Sequence, residues 1–209
     1  MAGRFITFEG TEGGGKSTQI NLLAARFRES GLTVRTFREP GGTAIGEEIR
    51  HTLQHSAHNQ AMTAEAELLL MNASRAQLVR EVIRPALNAG EIVLCDRFYD
   101  STVAYQGYGR GLDLQFVRQV IDFAVGDTRP NLTILLQVPV EMSEARRKTR
   151  GSGVRDRMEE LDRAFFERGE KGFQEIAAAQ SQRVRVIDAT ESIEAVHSQI
   201  WKLAGQLPA

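Results

Sequence analysis

The segment GTEGGGKS, residues 10–17, decides the fold of this chain. It fits the pattern G-x-x-x-x-G-K-[ST] without a gap, between a strand-like run at residues 4–9 and a helical pattern at residues 17–30. Glycines let successive backbone N–H groups point into one concavity, and the helix start adds free N–H groups and a positive dipole end. A plain glycine turn could have this composition, but the context favours a loop that holds a nucleoside triphosphate.

Two side chains in this loop predict its chemistry. Lys16 would bring a point charge to the β- and γ-phosphates of ATP, and Ser17 would offer a hydroxyl to Mg²⁺. The chain has no N/T-K-x-D guanine signature, which disfavours a GTPase switch. The predicted ATP-binding residues are Gly10, Thr11, Glu12, Gly13, Gly14, Gly15, Lys16, Ser17 and Thr18.

Strand-like and helix-like segments alternate along the rest of the chain. Short apolar runs predict strands at residues 4–9, 33–37, 91–96, 132–138 and 183–188. Helical patterns lie at residues 17–30, 45–54, 63–88, 113–125, 140–150, 157–179 and 192–207. Pro85 is expected to disturb the third of these helices. The alternation predicts an α/β fold with a mainly parallel sheet.

The totals describe an ordinary globular chain of 209 residues, 42% hydrophobic and 25% charged. This length suits one domain, so a single domain is expected over residues 1–209. The net charge of −1 argues against a nucleic-acid partner. No apolar run approaches ~20 residues and no signal peptide is recognisable, so we expect no membrane partner and a cytoplasmic location. The single cysteine, Cys95, is expected to be buried.

Three arginines predict a second anion site. Arg38 and Arg97 follow predicted strands, and Arg75 lies within a predicted helix. In an open α/β sheet the ligand crevice lies beyond the carboxyl ends of the strands, where the glycine loop also opens. Each arginine alone is more often a surface ion-pair partner. Two arginines at strand ends beside the glycine loop favour a ligand instead. Asp96 ends the run IVLCD, so it could bind Mg²⁺, and it could instead cap a helix or pair with Arg97.

The segment RRKTRGSGVRDR, residues 146–157, is rich in arginine and is interrupted by Gly151 and Gly153. A charge run of this kind is often a solvated surface. Glycine hinges within it favour a lid that brings arginines to transferring phosphates. An acceptor phosphate, with a second pKa near ~6, needs no general base. The inventory of cations therefore suits transfer of a phosphoryl group from one phosphate to another.

Together these motifs resemble the bacterial thymidylate kinases, which phosphorylate dTMP to dTDP with ATP. The resemblance rests on FEGTEGGGKST (residues 8–18), REPGGT (38–43), DRFYDSTVAYQG (96–107), the arginine-rich segment and IDA (187–189), so it covers nearly the whole chain. It implies a P-loop NTPase fold with three layers, helices flanking a five-stranded parallel sheet. It also implies Mg²⁺ as cofactor, ATP and dTMP as substrates, and a homodimer.

The resemblance further implies residue roles. Arg38 and Arg97 would grip the dTMP phosphate, Arg75 would bond the thymine, and Tyr105 would pack under the deoxyribose. Met71 stands where the family commonly has an aromatic residue against the base. The implied dTMP-binding residues are Glu12, Arg38, Met71, Arg75, Arg97, Ser101, Thr102, Tyr105 and Gln106. The implied catalytic residues are Lys16, Glu12, Arg97, Arg150 and Arg155, and the implied metal ligands are Ser17 and Asp96.

Two other functions remain open on the residues alone. One is a kinase for a different nucleoside monophosphate. The other is a P-loop nucleotide switch with no acceptor site, in which Arg38, Arg75 and Arg97 would be scattered over the molecule.

Overall fold

The computed structural model describes residues 3–149, 157 and 162–207. Arg150 and Arg155 lie outside the described residues. The strands are β1 Arg4–Glu9, β2 Val34–Arg38, β3 Ile92–Asp96, β4 Leu132–Gln137 and β5 Val184–Asp188. The α-helices are α1 Lys16–Glu29, α2 Ala44–Gln54, α3 Ala64–Leu78, α4 Arg84–Asn88, α5 Tyr99–Thr102, α6 Leu114–Val125, α7 Val140–Thr149, α8 Arg163–Ala179 and α9 Ile193–Gly205.

All five strands run parallel, in the order β2-β3-β1-β4-β5. This order puts β1, which leads into the glycine loop, at the centre of the sheet. Arg38 at the end of β2 lies in register with Asp96 at the end of β3, and Asp96 also pairs with Phe8 of β1. The segments that follow β1, β2 and β3 therefore open onto one edge of the sheet.

The three inner strands of the sheet, β3, β1 and β4, are buried on both faces. Phe5 and Cys95 belong to one apolar cluster, which also contains buried residues of α3, α6 and α8. Their chain neighbours Ile6 and Leu94 point the other way, into a second cluster with α1 and α9. Helices therefore cover each face, and the predicted three-layer α/β fold with a five-stranded parallel sheet is confirmed. Cys95 is buried, as predicted.

The long helical pattern at residues 63–88 contains a break. A π-helical turn at Val79–Ile83 separates α3 from α4, and Pro85 lies in the first turn of α4. Proline cannot donate to the carbonyl four residues earlier, and a widened turn accommodates the missing bond. The predicted disturbance at Pro85 is therefore confirmed.

One helical stretch and one helix boundary differ from the prediction. Helix α5 continues into a π-helical turn at Val103–Gly109, where no helix was predicted, because residues 99–107 are all buried and therefore show no alternation of apolar and polar faces. Helix α8 begins at Arg163, not at residue 157, because the Asp162 side chain accepts from the Phe165 N–H at 2.7 Å and caps the first turn. Within residues 3–149, 157 and 162–207, no helix is long and apolar enough to cross a membrane.

Candidate active site at the carboxyl ends of the strands

The glycine loop has the backbone that its sequence predicts. Gly10, Gly13 and Gly15 have φ values of 121°, 76° and 90°, a region that side chains disfavour. A Cβ atom on Gly10 would lie 2.2 Å from the carbonyl oxygen of Leu136 in β4. The loop can therefore fold against the sheet only with glycine at this position.

Lys16 lies over the loop in a nearly water-free position. Its Nζ donates to the carbonyl oxygens of Gly10 at 3.1 Å and Thr11 at 3.0 Å, and the residue is 7% exposed. Burial, and next the charge of Arg97, lowers the pKa of Lys16 to about 8. The hydroxyl of Thr11 is buried and has no hydrogen-bond partner within the described part of the chain. A polar ligand in the loop would satisfy it.

Ser17 and Asp96 meet at the edge of this loop. The Ser17 hydroxyl donates to Asp96 Oδ2 at 3.3 Å, although the two residues are 79 positions apart. They are brought together because α1 starts directly beyond the centre of the sheet and β3 is the neighbour of β1. Both groups are oxygen ligands of the kind that Mg²⁺ accepts.

The chain turns sharply after β3, and a buried carboxylate holds that turn. Arg97 has φ 67°, which is uncommon for a residue other than glycine. Glu9, at the end of β1, accepts from the N–H of Phe98 at 2.8 Å and from the N–H and hydroxyl of Ser101 at 3.2 and 2.5 Å. Burial, and next the charge of Asp100, raises the pKa of Glu9 to about 7. These bonds fix the direction in which the Arg97 side chain leaves the sheet.

The Arg97 guanidinium links the glycine loop to the stretch after β3. Its Nη1 donates to Ser101 Oγ at 3.1 Å and to the Tyr105 hydroxyl at 3.4 Å. Its Nη2 lies 3.8 Å from Glu12 Oε1. Burial alone would lower the pKa of Arg97, but Tyr105 and Glu12 raise it, so the side chain stays charged. A permanent cation therefore lies beside the predicted ATP loop.

Arg38 lies on the other side of this edge and is half exposed. Its Nη2 donates to Glu47 Oε2 in the first turn of α2 at 2.9 Å. Glu47 also accepts from the Gly42 N–H at 2.8 Å, and that hydrogen bond is the main reason why its pKa is lowered. The pair is accessible enough for an anion to compete for Arg38.

Arg75 is buried and held on three sides. Its Nε donates to Glu39 Oε2 at 2.7 Å, its Nη1 to Asn72 Oδ1 at 2.9 Å, and its Nη2 to the Phe98 carbonyl at 3.3 Å. Burial raises the pKa of Glu39 to about 7 against the opposing charge of Arg75. Glu39 Oε1 is buried without a hydrogen-bond partner among the residues described.

These bonds bring the three predicted arginines into one region. Glu39 follows Arg38 in the chain and Phe98 follows Arg97, and Arg75 bonds to both. The scattered arrangement that a switch without an acceptor site predicts is not found.

The remaining predicted residues lie along α5, the turn after it, and α3. Tyr105 stacks on Phe165 with ring centroids 5.7 Å apart. Thr102 is 1% exposed. Met71 is partly buried one helical turn before Arg75. Gln106 is buried, and its Nε2 donates to Glu67 Oε1 at 2.8 Å.

The arginine-rich segment is described only at its two ends. Helix α7 carries Arg146, whose Nη2 donates to the Ala189 carbonyl at 3.1 Å. Arg157 donates through its backbone N–H to the Gln54 carbonyl at 3.4 Å and through Nη2 to the Met62 carbonyl at 3.1 Å. The choice between Arg150 and Arg155 falls on residues outside the described ranges.

Three buried carboxylates of this region were not predicted from the sequence, namely Glu9, Glu39 and Glu67. Each supports a predicted site residue: Glu9 holds the turn at Arg97, Glu39 accepts from Arg75, and Glu67 accepts from Gln106. One signal was available for Glu9, since it is the charged end of an apolar strand at the centre of the sheet.

The comparisons with known proteins agree with this geometry. The family model described as Thymidylate kinase matches residues 8–200. A thymidylate kinase of Alcanivorax borkumensis is 46% identical over 209 residues, covering 100% of this chain and 99% of that protein. A thymidylate kinase of Thermomicrobium roseum is 49% identical over 197 residues, covering 94% of this chain and 92% of that protein.

A solved structure is similar over the same length. The crystal structure of thymidylate kinase from Ehrlichia chaffeensis superposes with a TM-score of 0.78 at 35% identity, covering 99% of this chain and 100% of that one. The resemblance found in the sequence is thereby confirmed, and the chain belongs to the thymidylate kinase family.

Proposed function

We propose that this chain transfers the γ-phosphoryl group of ATP to the phosphate of dTMP, giving dTDP and ADP. Family membership over nearly the full length supports the substrates. The observation that carries the mechanism is the Arg97 guanidinium, which lies between Glu12 of the glycine loop and the Tyr105 hydroxyl. It is thus positioned to contact both a donor in the loop and an acceptor beside Tyr105.

The reaction in this site is mainly a problem of charge. A dTMP phosphate oxygen attacks the γ-phosphorus of ATP, the bond from that phosphorus to the β-phosphate oxygen breaks, and ADP leaves. In our proposal Lys16 and the loop N–H groups hold the donor phosphates, while Arg38 and Arg97 hold the acceptor phosphate. These cations offset the repulsion between the two anions and align them. Glu12 orients Arg97 and the acceptor sugar. Arg150 and Arg155 remain the proposed sources of a further catalytic arginine.

The nucleoside half of dTMP is assigned to the stretch after β3 and to α3. Arg75 offers N–H donors to the base, with Thr102, Gln106 and Met71 around it. Tyr105, fixed between Arg97 and Phe165, packs under the sugar and disfavours a 2′-hydroxyl. Ser101 supports Arg97.

Mg²⁺ is the proposed cofactor. Ser17 and Asp96 bring two oxygens within 3.3 Å of each other beside the predicted γ-phosphate site. This sparse oxygen set fits Mg²⁺, which usually takes one or two protein oxygens and completes its shell with water and substrate phosphates. When bound, the ion would neutralise charge on the β- and γ-phosphates.

We further propose that the chain forms a homodimer and acts in the cytoplasm on these small molecules alone. The support for a dimer is an apolar surface on α6 and α3, where Phe123, Phe116 and Leu69 are 84%, 51% and 56% exposed. Large exposed apolar side chains on neighbouring helices are typical of an interface.

A coupled ADP-release assay with ATP and Mg²⁺ tests the proposal. The acceptors are dTMP, its 2′-hydroxy counterpart, dUMP, dCMP, AMP and GMP. We expect the highest kcat/KM with dTMP, and a loss of about 100- to 1,000-fold in Lys16→Ala, which also controls for contaminating kinases. A higher kcat/KM with another monophosphate would leave the transfer mechanism and refute dTMP as the substrate. No turnover with any acceptor would refute the enzyme.

A further inference from the structure

Glu67 is a fully buried carboxylate on α3 that is surrounded by donors. Arg110 donates to it through Nε at 3.2 Å and Nη2 at 2.8 Å. Arg157 donates through Nη1, and Gln106 through Nε2 at 2.8 Å. Glu67 is 0% exposed. One carboxylate therefore ties together α3, the π-helical turn that carries Gln106, and Arg157.

These donors keep Glu67 ionised. Burial alone would raise its pKa, but the hydrogen bonds from Arg110, Gln106 and Arg157 lower it below the usual value. An ionised carboxylate can only accept hydrogen bonds. Two guanidinium groups on one carboxylate make a proton on Glu67 still less favourable.

The charge of Glu67 fixes the orientation of the Gln106 amide. That amide has one end that donates, the NH₂ group, and one end that accepts, the Oε1 atom. Because Glu67 accepts only, the NH₂ end must face it, and Oε1 is left facing away. In the described part of the chain, Gln106 Oε1 has no hydrogen-bond partner. Gln106 directly follows Tyr105, which is proposed to pack under the sugar, so Oε1 is available to a base bound there.

This orientation matches one pyrimidine and opposes another. The edge of thymine offers a carbonyl acceptor at O4 and a donor at N3–H, whereas cytosine offers a donor at N4 and an acceptor at N3. Arg75 can only donate, and Gln106, once fixed, can only accept through Oε1. A donor and an acceptor on the protein complement thymine and meet cytosine with like groups.

We infer that Glu67 is a specificity-determining positioning residue, which fixes Gln106 so that its Oε1 accepts the N3–H of the thymine base. The inference rests on the proposed function, because it requires a dTMP acceptor bound beside Tyr105. Glu67 does not touch the substrate and acts only through Gln106.

Glu67→Gln is the direct test, because a neutral amide can face either end of Gln106. The ratio of kcat/KM for dTMP over dCMP should fall at least about 10-fold, mainly through a higher KM for dTMP. The ratio for dTMP over its 2′-hydroxy counterpart should not change, because Tyr105 sets it. A general loss of structure would lower both ratios together.

Two further variants keep the inference open to refutation. If Glu67→Gln does not fold, Glu67→Gln with Arg157→Gln removes one charge of each sign and is measured in its place. Gln106→Met, which keeps the length of the side chain but cannot accept the bond, should lower the same ratio by a similar factor. A matched control, Glu91→Gln, breaks the Glu91–Arg35 pair at the start of β3 and should leave both ratios unchanged.

The outcomes separate the inference from the proposed function. If the wild-type chain does not phosphorylate dTMP, the proposed function fails before any variant is compared. If it does, and either Gln106→Met or the folded Glu67 variant keeps the wild-type preference for dTMP over dCMP, the inference is overturned. We expect the ratio of kcat/KM for dTMP over dCMP to fall in both variants, and the ratio for dTMP over its 2′-hydroxy counterpart to stay unchanged.

Discussion

Lys16 is a charged side chain kept nearly free of water. Its two hydrogen bonds go to carbonyl oxygens of its own loop, and these bonds only partly replace the solvation lost on burial. The consequence is a pKa near the physiological range, about 8. A bound ATP would bring several negative charges to this group and favour its charged form.

ATP binding should therefore take up protons near pH 8. ATP binds the charged form of Lys16 and so raises its pKa above the value of about 8 in the free protein. Molecules whose Lys16 is neutral must therefore take up a proton when ATP binds. ATP affinity should fall as pH rises above about 8. Calorimetric titrations in buffers of different ionisation enthalpy measure this uptake. Lys16→Arg, which is permanently charged, should abolish it. Equal proton uptake in wild type and Lys16→Arg would contradict the assignment.

At the residue scale, side chains that belong to a sequence motif could be predicted, and side chains that belong to none could not. Lys16 and Ser17 belong to a pattern with a fixed spacing, so their place in the loop followed from the pattern. Glu39 and Glu67 are two carboxylates among many, and only the tertiary structure determines which ones are buried against arginines. No periodicity in the sequence marks them, since helical spacing describes faces and not partners.

At the element scale, side chains that cap helices decide where helices begin. The helical pattern predicted a helix from residue 157, but α8 begins at Arg163, where the Asp162 side chain accepts from the Phe165 N–H. The strands were predicted within a residue or so because their runs are short, and because β1, β3 and β4 carry consecutive apolar residues that are buried on both faces. The helical stretch at residues 99–109 was missed because its side chains follow no apolar period.

Removal of the Asp162 cap should destabilise the protein without changing its chemistry. Asp162→Ala leaves the N–H of Phe165 without its side-chain acceptor, which should cost about 1 kcal/mol of unfolding free energy. Urea unfolding followed by circular dichroism measures this loss. Asp162→Asn retains an oxygen acceptor and should be close to wild type. If alanine and asparagine are equally destabilising, the loss does not come from the cap.

At the scale of the whole molecule, two apolar clusters fill the two faces of the sheet, and a third apolar surface stays open. Phe123 is 84% exposed on α6, the same helix whose Val117 and Ile121 are buried in the core. Exposure of so much aromatic surface is unfavourable in a monomer. Pairing of two copies through this surface would bury it.

Phe123→Glu should convert the proposed dimer into a monomer. Two glutamates in a symmetric interface would bring like charges into an apolar environment. Light scattering after size-exclusion chromatography gives the mass directly. Ile193→Glu is the matched control, because Ile193 is 53% exposed on α9, away from α6, and should leave the mass unchanged. A wild-type chain with the mass of one copy would refute the dimer.

Arg97 shows a conflict between durability and activity. Its φ of 67° suits glycine or asparagine better than arginine, at a cost of roughly 1–2 kcal/mol. Only arginine, however, supplies the cation beside Glu12 and Tyr105. Laboratory evolution for heat resistance alone would therefore favour replacement of Arg97, whereas selection for growth that requires the enzyme to make its product would retain it. At this position the backbone conformation favours a residue other than arginine, whereas turnover requires the arginine cation.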